Sequence, residues 1–270
     1  MNPIMMKRRA FLSSGMAGLA GTLWSADGGP ARPIGIPLKQ EPLKFDFKAL
    51  EPHLDAATLR MHYTTHHAEA VVELNKALNK VNLKVANVVS LMPRIKSTVE
   101  PFDERKKVVP FGRPPGMIPV ETQEALRSFG GRHLNHTVFW RFLAPPGSGP
   151  GGPEKKVAEV LERDFGSVEK FKQTFTEAAL KHDGEGWAWL VYRPDGKLVV
   201  TTTWNDDNPL MKEFVPEEDY GRAILCLDVW GHAYSPKYVN DRAAYIAAWW
   251  KVVNWSFMSR AYDIVTSGLV

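Results

Sequence analysis

Near its C-terminal end the chain reads Asp228-Val229-Trp230-Gly231-His232-Ala233-Tyr234. Asp228 and His232 stand four residues apart beside a tryptophan, a spacing that suits two ligands of one metal ion. Two histidines upstream, His62 and His136, lie in segments of similar character. Three imidazoles and one carboxylate suit a borderline transition metal such as iron or manganese. The stretch therefore predicts half of a metal site, with the other half supplied from far upstream.

Each of these histidines also has an ordinary interpretation, since a lone histidine on a helix is commonly a surface or core residue. Their surroundings favour a site. His62 and His66 lie one turn apart on the same helix face, and His136 stands among apolar residues, where an unpaired ring is costly. Asp228 ends the apolar run 224–227, and a buried carboxylate there needs a cation or hydrogen-bond donors. The residues alone leave both interpretations open.

The N-terminal segment 1–26 has the pattern of an export signal. The basic stretch 7–12 (KRRAFL) is followed by the weakly apolar, glycine-rich run 13–20. This resembles a twin-arginine signal peptide, with cleavage near Ala26 or Ala31, and predicts a periplasmic or extracellular protein. The run is too short to span a membrane stably. The alternative interpretation is a disordered basic tail.

Composition narrows the class of protein. The chain has 270 residues, 44% hydrophobic and 24% charged, which is typical of a folded globular protein. Of 34 basic residues, three lie in the signal-like segment; removing them leaves 31 against 30 acidic residues, a net charge of +1. This balance predicts neither nucleic acid nor an anionic membrane as a partner. The single cysteine, Cys226, excludes an intramolecular disulfide, and no other window is long enough for a transmembrane helix.

Proline and glycine divide the chain into parts. Residues 27–44 form a proline-rich linker, and residues 45–145 an N-terminal helical domain interrupted by a proline-rich excursion at 93–119. The run 144–153 (APPGSGPGGP) marks the boundary to a C-terminal α/β domain at 146–270.

Periodicity predicts the elements within these domains. A Pro-Asp-Gly turn between aromatic and β-branched runs indicates a β-hairpin. We expect helices at about 52–80, 121–142, 154–163, 167–183 and 242–262, and strands at 187–192, 197–203 and 222–228.

Seven blocks resemble the iron/manganese superoxide dismutase family in sequence, order and spacing. They are 51–53 (EPH), 61–67 (MHYTTHH), 130–140 (GGRHLNHTVFW), 186–190 (GWAWL), 206–209 (DDNP), 228–234 (DVWGHAY) and 250–255 (WKVVNW). The resemblance covers about residues 40–262.

The resemblance implies an α+β fold, with a long N-terminal helical hairpin followed by an α/β subdomain whose three-stranded antiparallel sheet is surrounded by helices. It implies one manganese or iron ion, five-coordinate with a bound water or hydroxide, and disproportionation of superoxide to dioxygen and hydrogen peroxide. The implied ligands are His62, His136, Asp228 and His232. Trp187, Trp189 and Trp230 are the implied walls of the metal pocket, although ordinary core packing also accounts for them.

Two positions inside the expected site depart from the family pattern. Ala70 stands where the family has a tyrosine that relays protons, and we expect solvent to enter past it instead. Asp206 stands where the family has a glutamine or histidine next to the metal-bound solvent. An amide donates to hydroxide, whereas an ionised carboxylate only accepts. Asp206 is therefore a candidate catalytic residue or an additional ligand.

Two further departures fall at the dimer contact that the resemblance implies. Gly231 replaces a glutamate that reaches a ligand histidine of the partner, and Ser235 replaces a tyrosine that reaches the partner's helix histidine. His66 occupies that helix position and therefore loses this partner. It is a second candidate catalytic residue. A homo-oligomer remains possible with altered contacts.

Two alternatives to a dismutase are another iron- or manganese-binding redox protein on the same scaffold and a binding domain with a vestigial site.

Overall fold

The computed structural model describes residues 38–95, except 82, 84 and 86, and residues 119–267. The elements in chain order are α1 (Ala56–Met61), a π-helical turn (His62–His67), α2 (Ala68–Lys80), α3 (Val120–Arg141), α4 (Lys155–Phe165), α5 (Val168–Lys181), β1 (Gly186–Tyr192), β2 (Leu198–Trp204), β3 (Arg222–Asp228), α6 (Gly231–Tyr238), α7 (Arg242–Trp249) and α8 (Trp255–Thr266). The expected signal at 1–26, residues 27–37 of the linker and most of the 93–119 excursion lie outside the described residues.

The first half is a helical hairpin. Asp55 caps α1 by accepting a hydrogen bond from the backbone N–H of Thr58 at 2.9 Å, and this sets the helix start later than the predicted residue 52. The helix continues through the π-helical turn into α2, whose apolar face packs on α3. A π-helical turn inside a long helix is common at functional sites, and this one begins at His62.

The second half contains one antiparallel sheet with strand order β2-β1-β3. The central strand β1 is buried along nearly its whole length. Its register places Trp187 opposite both Thr203 on β2 and Asp228 on β3. The Pro-Asp-Gly turn is confirmed, with Gly196 in the left-handed region at φ 82°. The expected α+β architecture is confirmed, and Asp228 is the last residue of β3.

The expectation of one long helix over 242–262 is wrong. Asn254 separates α7 from α8, because its side chain caps α8 by accepting from the backbone N–H of Phe257 at 3.0 Å. Its backbone N–H donates to the carbonyl of Phe142 at 2.7 Å, and its side-chain amide donates to the carbonyl of Arg141 at 3.1 Å. The break therefore docks this segment onto the end of α3. A short helix that we did not predict, α6, follows β3 and carries His232.

Among the described residues, no helix combines the length and the apolar character needed to cross a membrane.

Candidate metal centre

Four side chains from four elements of the fold meet at one point. His62 opens the π-helical turn, His136 lies on α3, Asp228 ends β3 and His232 lies in the first turn of α6. One possible ligand atom from each residue lies within 4.8 Å of the others. The helical hairpin thus supplies two donors, and the C-terminal half supplies two, one from β3 and one from α6.

The donor atoms converge on one oxygen. Asp228 Oδ2 lies 3.0 Å from His62 Nε2, 3.4 Å from His232 Nε2 and 3.8 Å from His136 Nε2. His62, His136 and Asp228 are at most 1% exposed, while the His232 side chain is 16% exposed. The cluster is therefore closed on the hairpin and sheet sides and slightly open beside α6.

The same four atoms lack hydrogen-bond partners. The three Nε2 atoms and Asp228 Oδ2 are buried, and none completes a hydrogen bond of normal geometry. Buried polar atoms are almost always paired in folded proteins, so four unpaired atoms around one point indicate a missing partner. One cation satisfies all four, and three neutral imidazoles with one carboxylate are suitable donors for manganese or iron.

Two of the ligands, His136 and Asp228, are held by the chain at the end away from the cluster. The His136 Nδ1 atom bonds to the carbonyl of Arg132 at 2.7 Å, which leaves the Nε2 lone pair for the metal cluster. Asp228 Oδ1 accepts from the backbone N–H of Trp230 at 2.8 Å, and the Asp228 carbonyl accepts from the hydroxyl of Tyr245 at 2.9 Å. These bonds aim His136 Nε2 and Asp228 Oδ2 at the cluster.

The protonation states favour metal binding. Burial lowers the pKa of His62 to about 4, so this ring is neutral at pH 7. Burial is also the largest influence on Asp228 and raises its pKa, but the nearby His232 and His62 rings outweigh burial and hold the pKa below its usual range. A neutral imidazole and an ionised carboxylate are the forms that bind a metal ion.

Aromatic rings enclose the cluster. Trp187 meets His136 edge-on at 5.2 Å between ring centroids, and the ring of Trp230 lies 5.6 Å from His232. Trp189 stacks on Trp187 at 5.8 Å and reaches the cluster through it. Trp140 lies 4.8 Å from His62 and was missed by the sequence analysis, although it stands four residues after His136, one helical turn away.

His66 and Ala70 lie on the helix that carries His62. The ring of His66 is half-buried and stacks on His232 at 4.0 Å between centroids, so it borders the cluster directly. Ala70 has no exposed surface. The expected entry of solvent past Ala70 is therefore not seen, because solvent does not reach its methyl group.

Asp206 is close to the cluster but is not one of the four clustered donors. Its carboxylate accepts from Arg132 twice, Nε to Oδ1 at 3.1 Å and Nη2 to Oδ2 at 2.9 Å, and from the hydroxyl of Ser128 at 2.8 Å. Burial raises the pKa of Asp206, while Arg132 and Ser128 act to lower it. The structure does not place Asp206 as an additional ligand, because both of its carboxylate oxygens accept hydrogen bonds from Arg132.

A second pair of the same kind lies beside the first. Arg127 Nε donates to Asp207 Oδ1 at 2.6 Å, and its guanidinium lies 4.0 Å from the ring of Phe214. Ser128, Arg127 and Arg132 were not predicted as site residues, since charged and polar residues on a helix usually face solvent. The available signals were the one-turn spacing of Ser128 and Arg132 on α3 and the adjacent acids Asp206 and Asp207.

Gly231 and Ser235 lie on α6. The backbone N–H of Gly231 donates to Glu185 Oε2 at 2.8 Å, so a carboxylate of the same chain reaches this position from the turn before β1. Ser235 is exposed. Glu185 was missed by the sequence analysis, because no local pattern links residue 185 to residue 231.

Two other histidines are core residues. His67 Nε2 lies 2.9 Å from His133 Nδ1, and Trp140 Nε1 donates to His67 Nδ1 at 3.0 Å. Because an indole N–H only donates, neutral His67 carries its proton on Nε2 and donates it to His133. The ordinary interpretation of a buried histidine therefore holds for this pair.

Comparisons with known proteins agree with the geometry. Residues 38–144 match the family model for the alpha-hairpin domain of iron/manganese superoxide dismutases, and residues 153–261 match the model for their C-terminal domain. The chain is 38% identical over 227 residues to superoxide dismutase [Mn] 1 of Leptolyngbya boryana, covering 84% of this chain and 81% of that protein.

Two further relatives are similar over nearly their whole length. Identity is 38% over 222 residues to superoxide dismutase [Mn/Fe] of Methylomonas sp. (strain J), covering 82% of this chain and 96% of that protein. Identity is 39% over 222 residues to superoxide dismutase [Mn] of Thermus thermophilus, covering 81% of this chain and 94% of that protein. With both family models matched and the four donors clustered, this chain belongs to the iron/manganese superoxide dismutase family.

Proposed function

We propose that this protein disproportionates superoxide to dioxygen and hydrogen peroxide at a single manganese or iron site whose surroundings are altered. His62, His136, Asp228 and His232 are the proposed ligands. The observation that carries the proposal is the set of four buried, unpaired donor atoms within 4.8 Å of one another in a chain of this family. When bound, the ion would supply one-electron chemistry, taking an electron from one superoxide and giving it to a second.

The chain's own residues would bind the metal ion, enclose its pocket and deliver protons to the product. Three neutral imidazoles and one carboxylate give the donor set one negative charge, which favours a multivalent cation over water. The rings of Trp140, Trp187 and Trp230 exclude solvent and lower the local dielectric. The peroxide product needs two protons, and His66, half-buried against His232, is the proposed group through which they arrive.

The surroundings of the ligands support an altered rather than a standard enzyme. Asp206 is held by Arg132 and Ser128 and offers no neutral amide to the site. Ala70 supplies no hydroxyl. These two features favour one alternative, an iron- or manganese-binding redox protein that does not dismutate superoxide.

Metal content and superoxide turnover on one purified sample separate these functions. We expect close to one manganese or iron ion per chain and turnover well above that of the aquated ion. A metal-loaded protein no faster than the aquated ion would reject dismutation and leave the alternative. A protein purified without stoichiometric metal would reject both and favour the vestigial site. Asp207→Asn is the matched control for the effects of substitution and purification. It should keep wild-type metal content and turnover, because Asp207 lies next to the site but is paired with Arg127.

We also propose that the protein is exported to the periplasm or the extracellular space by its twin-arginine-like segment 1–26. Such signals carry folded cargo, so the metal could be bound before export. The double change Arg8→Lys with Arg9→Lys is expected to retain the protein in the cytoplasm. Cell fractionation followed by immunoblotting measures this, with Lys7→Arg as the control that preserves the arginine pair. Export of the double variant at the normal level would contradict the proposal.

The proposed oligomer is one in which Gly231 and Ser235 make no side-chain link to a partner's histidine. The Glu185 carboxylate at the Gly231 N–H supports altered contacts around α6.

A further inference from the structure

Arg132 and Asp206 form a two-point ion pair between the two halves of the chain, in which the carboxylate is buried and the guanidinium is half-buried. The Asp206 side chain is 5% exposed and that of Arg132 is 23% exposed. Parallel guanidinium–carboxylate bonds of this kind are among the stronger ion pairs in proteins. An ionised carboxylate with so little exposure needs such a partner, since removing one member of a buried pair leaves an uncompensated charge.

The backbone fixes where this pair lies. The turn after β2 that carries Asp206 bends at Asn205, whose φ is 52°. The side-chain amide of Asn135 on α3 donates to the Asp206 carbonyl at 3.1 Å. The turn is therefore fastened to α3, and rotation of the carboxylate is its main remaining freedom.

Arg132 also touches the supports of the metal cluster. Its carbonyl accepts from His136 Nδ1 at 2.7 Å, and its guanidinium carbon lies 5.7 Å from the ring of Trp230. The backbone N–H of Trp230 holds Asp228, and Trp230 is the N-cap of α6, which carries His232. The ion pair thus abuts the elements that hold three of the four donors.

Asp206 has the chemistry of a fifth ligand. A carboxylate oxygen is a good donor for manganese and iron. Burial is the main cause of the raised pKa of Asp206, and the charge of the nearby Asp228 adds to it, so the two carboxylates lie in one neighbourhood. An open depression of about 420 Å³ lies against the pair on the side away from the four donors, with Trp230 in its lining, so the Arg132 side chain can be shortened there without disturbing the donors. Without Arg132, the Ser128 hydroxyl would be the remaining side-chain donor to Asp206 shown by the structure.

We propose that Arg132 is a positioning residue that holds Asp206 out of the metal's coordination sphere, so that the donor set stays at three imidazoles and one carboxylate. The inference rests on the proposed metal centre but not on dismutation. Its consequence is an ion pair of zero net charge beside the metal in place of a free carboxylate.

The test compares Arg132→Gln with wild type, both loaded with manganese(II). The low-temperature electron paramagnetic resonance spectrum reports the number and kind of ligands without any assay of turnover. We expect a changed spectrum and manganese binding tighter by about tenfold, the lower end of what support residues contribute to metal affinity. The double variant Arg132→Gln with Asp206→Asn is expected to return both the spectrum and the affinity to wild type.

Two controls make the result specific. Arg127→Gln breaks the neighbouring ion pair on the same helix and is expected to leave the spectrum unchanged. Arg132→Lys keeps the charge but not the two-point geometry, and it is expected to lie between wild type and Arg132→Gln.

An unchanged spectrum in Arg132→Gln, weaker manganese binding, or a double variant that keeps the altered spectrum would each overturn the proposal. If Arg132→Gln does not fold, the test rests on Arg132→Lys. A spectrum of Arg132→Lys identical to that of wild type would then overturn the proposal. Turnover of the same wild-type sample is recorded separately, so a failure of the proposed dismutation is distinguishable from a failure of this inference.

Discussion

Replacing Asp228 with asparagine is expected to lower manganese or iron affinity by at least about 100-fold, because losing a ligand costs more than losing a support residue. Asparagine preserves the shape of the side chain and can still accept from the backbone N–H of Trp230. It removes the only negative charge among the four clustered donors. Superoxide turnover should fall with metal occupancy, and metal analysis after dialysis together with stopped-flow turnover measures both effects.

The stability of the same variant gives an independent readout. Asp228 has no exposed surface, and without metal its Oδ2 atom completes no hydrogen bond. Because the nearby His232 and His62 rings hold the pKa of Asp228 below its usual range, the folded protein favours the ionised carboxylate, and metal-free Asp228→Asn should be less stable than metal-free wild type at pH 7. Added metal should raise the melting temperature of wild type but not of the variant. A metal-free variant more stable than wild type would contradict this expectation and show that the Asp228 charge is left uncompensated when no metal is bound.

Asp207→Asn is the matched control for this experiment. Asp207 is a neighbouring carboxylate of low exposure, but it is paired with Arg127 and lies outside the donor cluster. We expect it to retain metal at the wild-type level. If Asp207→Asn lost metal as readily as Asp228→Asn, the four-residue donor set would be wrong.

The four ligands were predictable from the family resemblance of seven sequence blocks, whereas local patterns alone left an ordinary interpretation of each histidine open. Asp228 ends an apolar strand, and His232 follows at a fixed spacing after a tryptophan. His136 stands among apolar residues, and His62 lies one helical turn before His66. Such patterns extend over a few residues and are visible without knowledge of the fold.

The surroundings of the ligands were less predictable because they depend on contacts between distant segments. Arg132 and Asp206 are 74 residues apart, and Glu185 and Gly231 are 46 residues apart. Only the docking of the turn after β2 onto α3 brings the first pair together. Asp206 was identified as unusual, but its partner was not, and the partner changes the carboxylate from a possible ligand into half of an ion pair.

The error at α7 and α8 has a related cause. Both helices are rich in aromatic and apolar residues, so periodicity runs through the break without interruption. The break depends on Asn254, whose bonds to the end of α3 are long-range. Asparagine is common in many positions of a sequence, and its capping role became visible only with the tertiary contact.

Replacing Gly131 with alanine is expected to destabilise the protein by at least about 2 kcal/mol, within the range observed for overpacked sites. A Cβ atom on Gly131 would lie 2.0 Å from the carbonyl oxygen of Asp206 and 2.8 Å from Met211 Cε. The nearest atom belongs to backbone, so relief requires the turn after β2 to move away from α3. That movement would also displace the Asp206 carboxylate from Arg132. Thermal unfolding of the metal-free protein measures the loss, expected as a fall in melting temperature of roughly 5 °C.

Gly130→Ala is the control, since both glycines lie in α3 and alanine favours a helix over glycine by about 1 kcal/mol at either position. A Cβ atom on Gly130 would lie 2.8 Å from Met92 Cε, the far end of a flexible side chain. We therefore expect the free energy of unfolding of Gly130→Ala to stay within about 1 kcal/mol of wild type, because the higher helix propensity of alanine offsets the cost of a small shift of Met92. Equal stability of the two variants would mean that the turn after β2 is not held tightly against α3. The ion pair beside the metal would then lack the fixed backbone on which its proposed role depends.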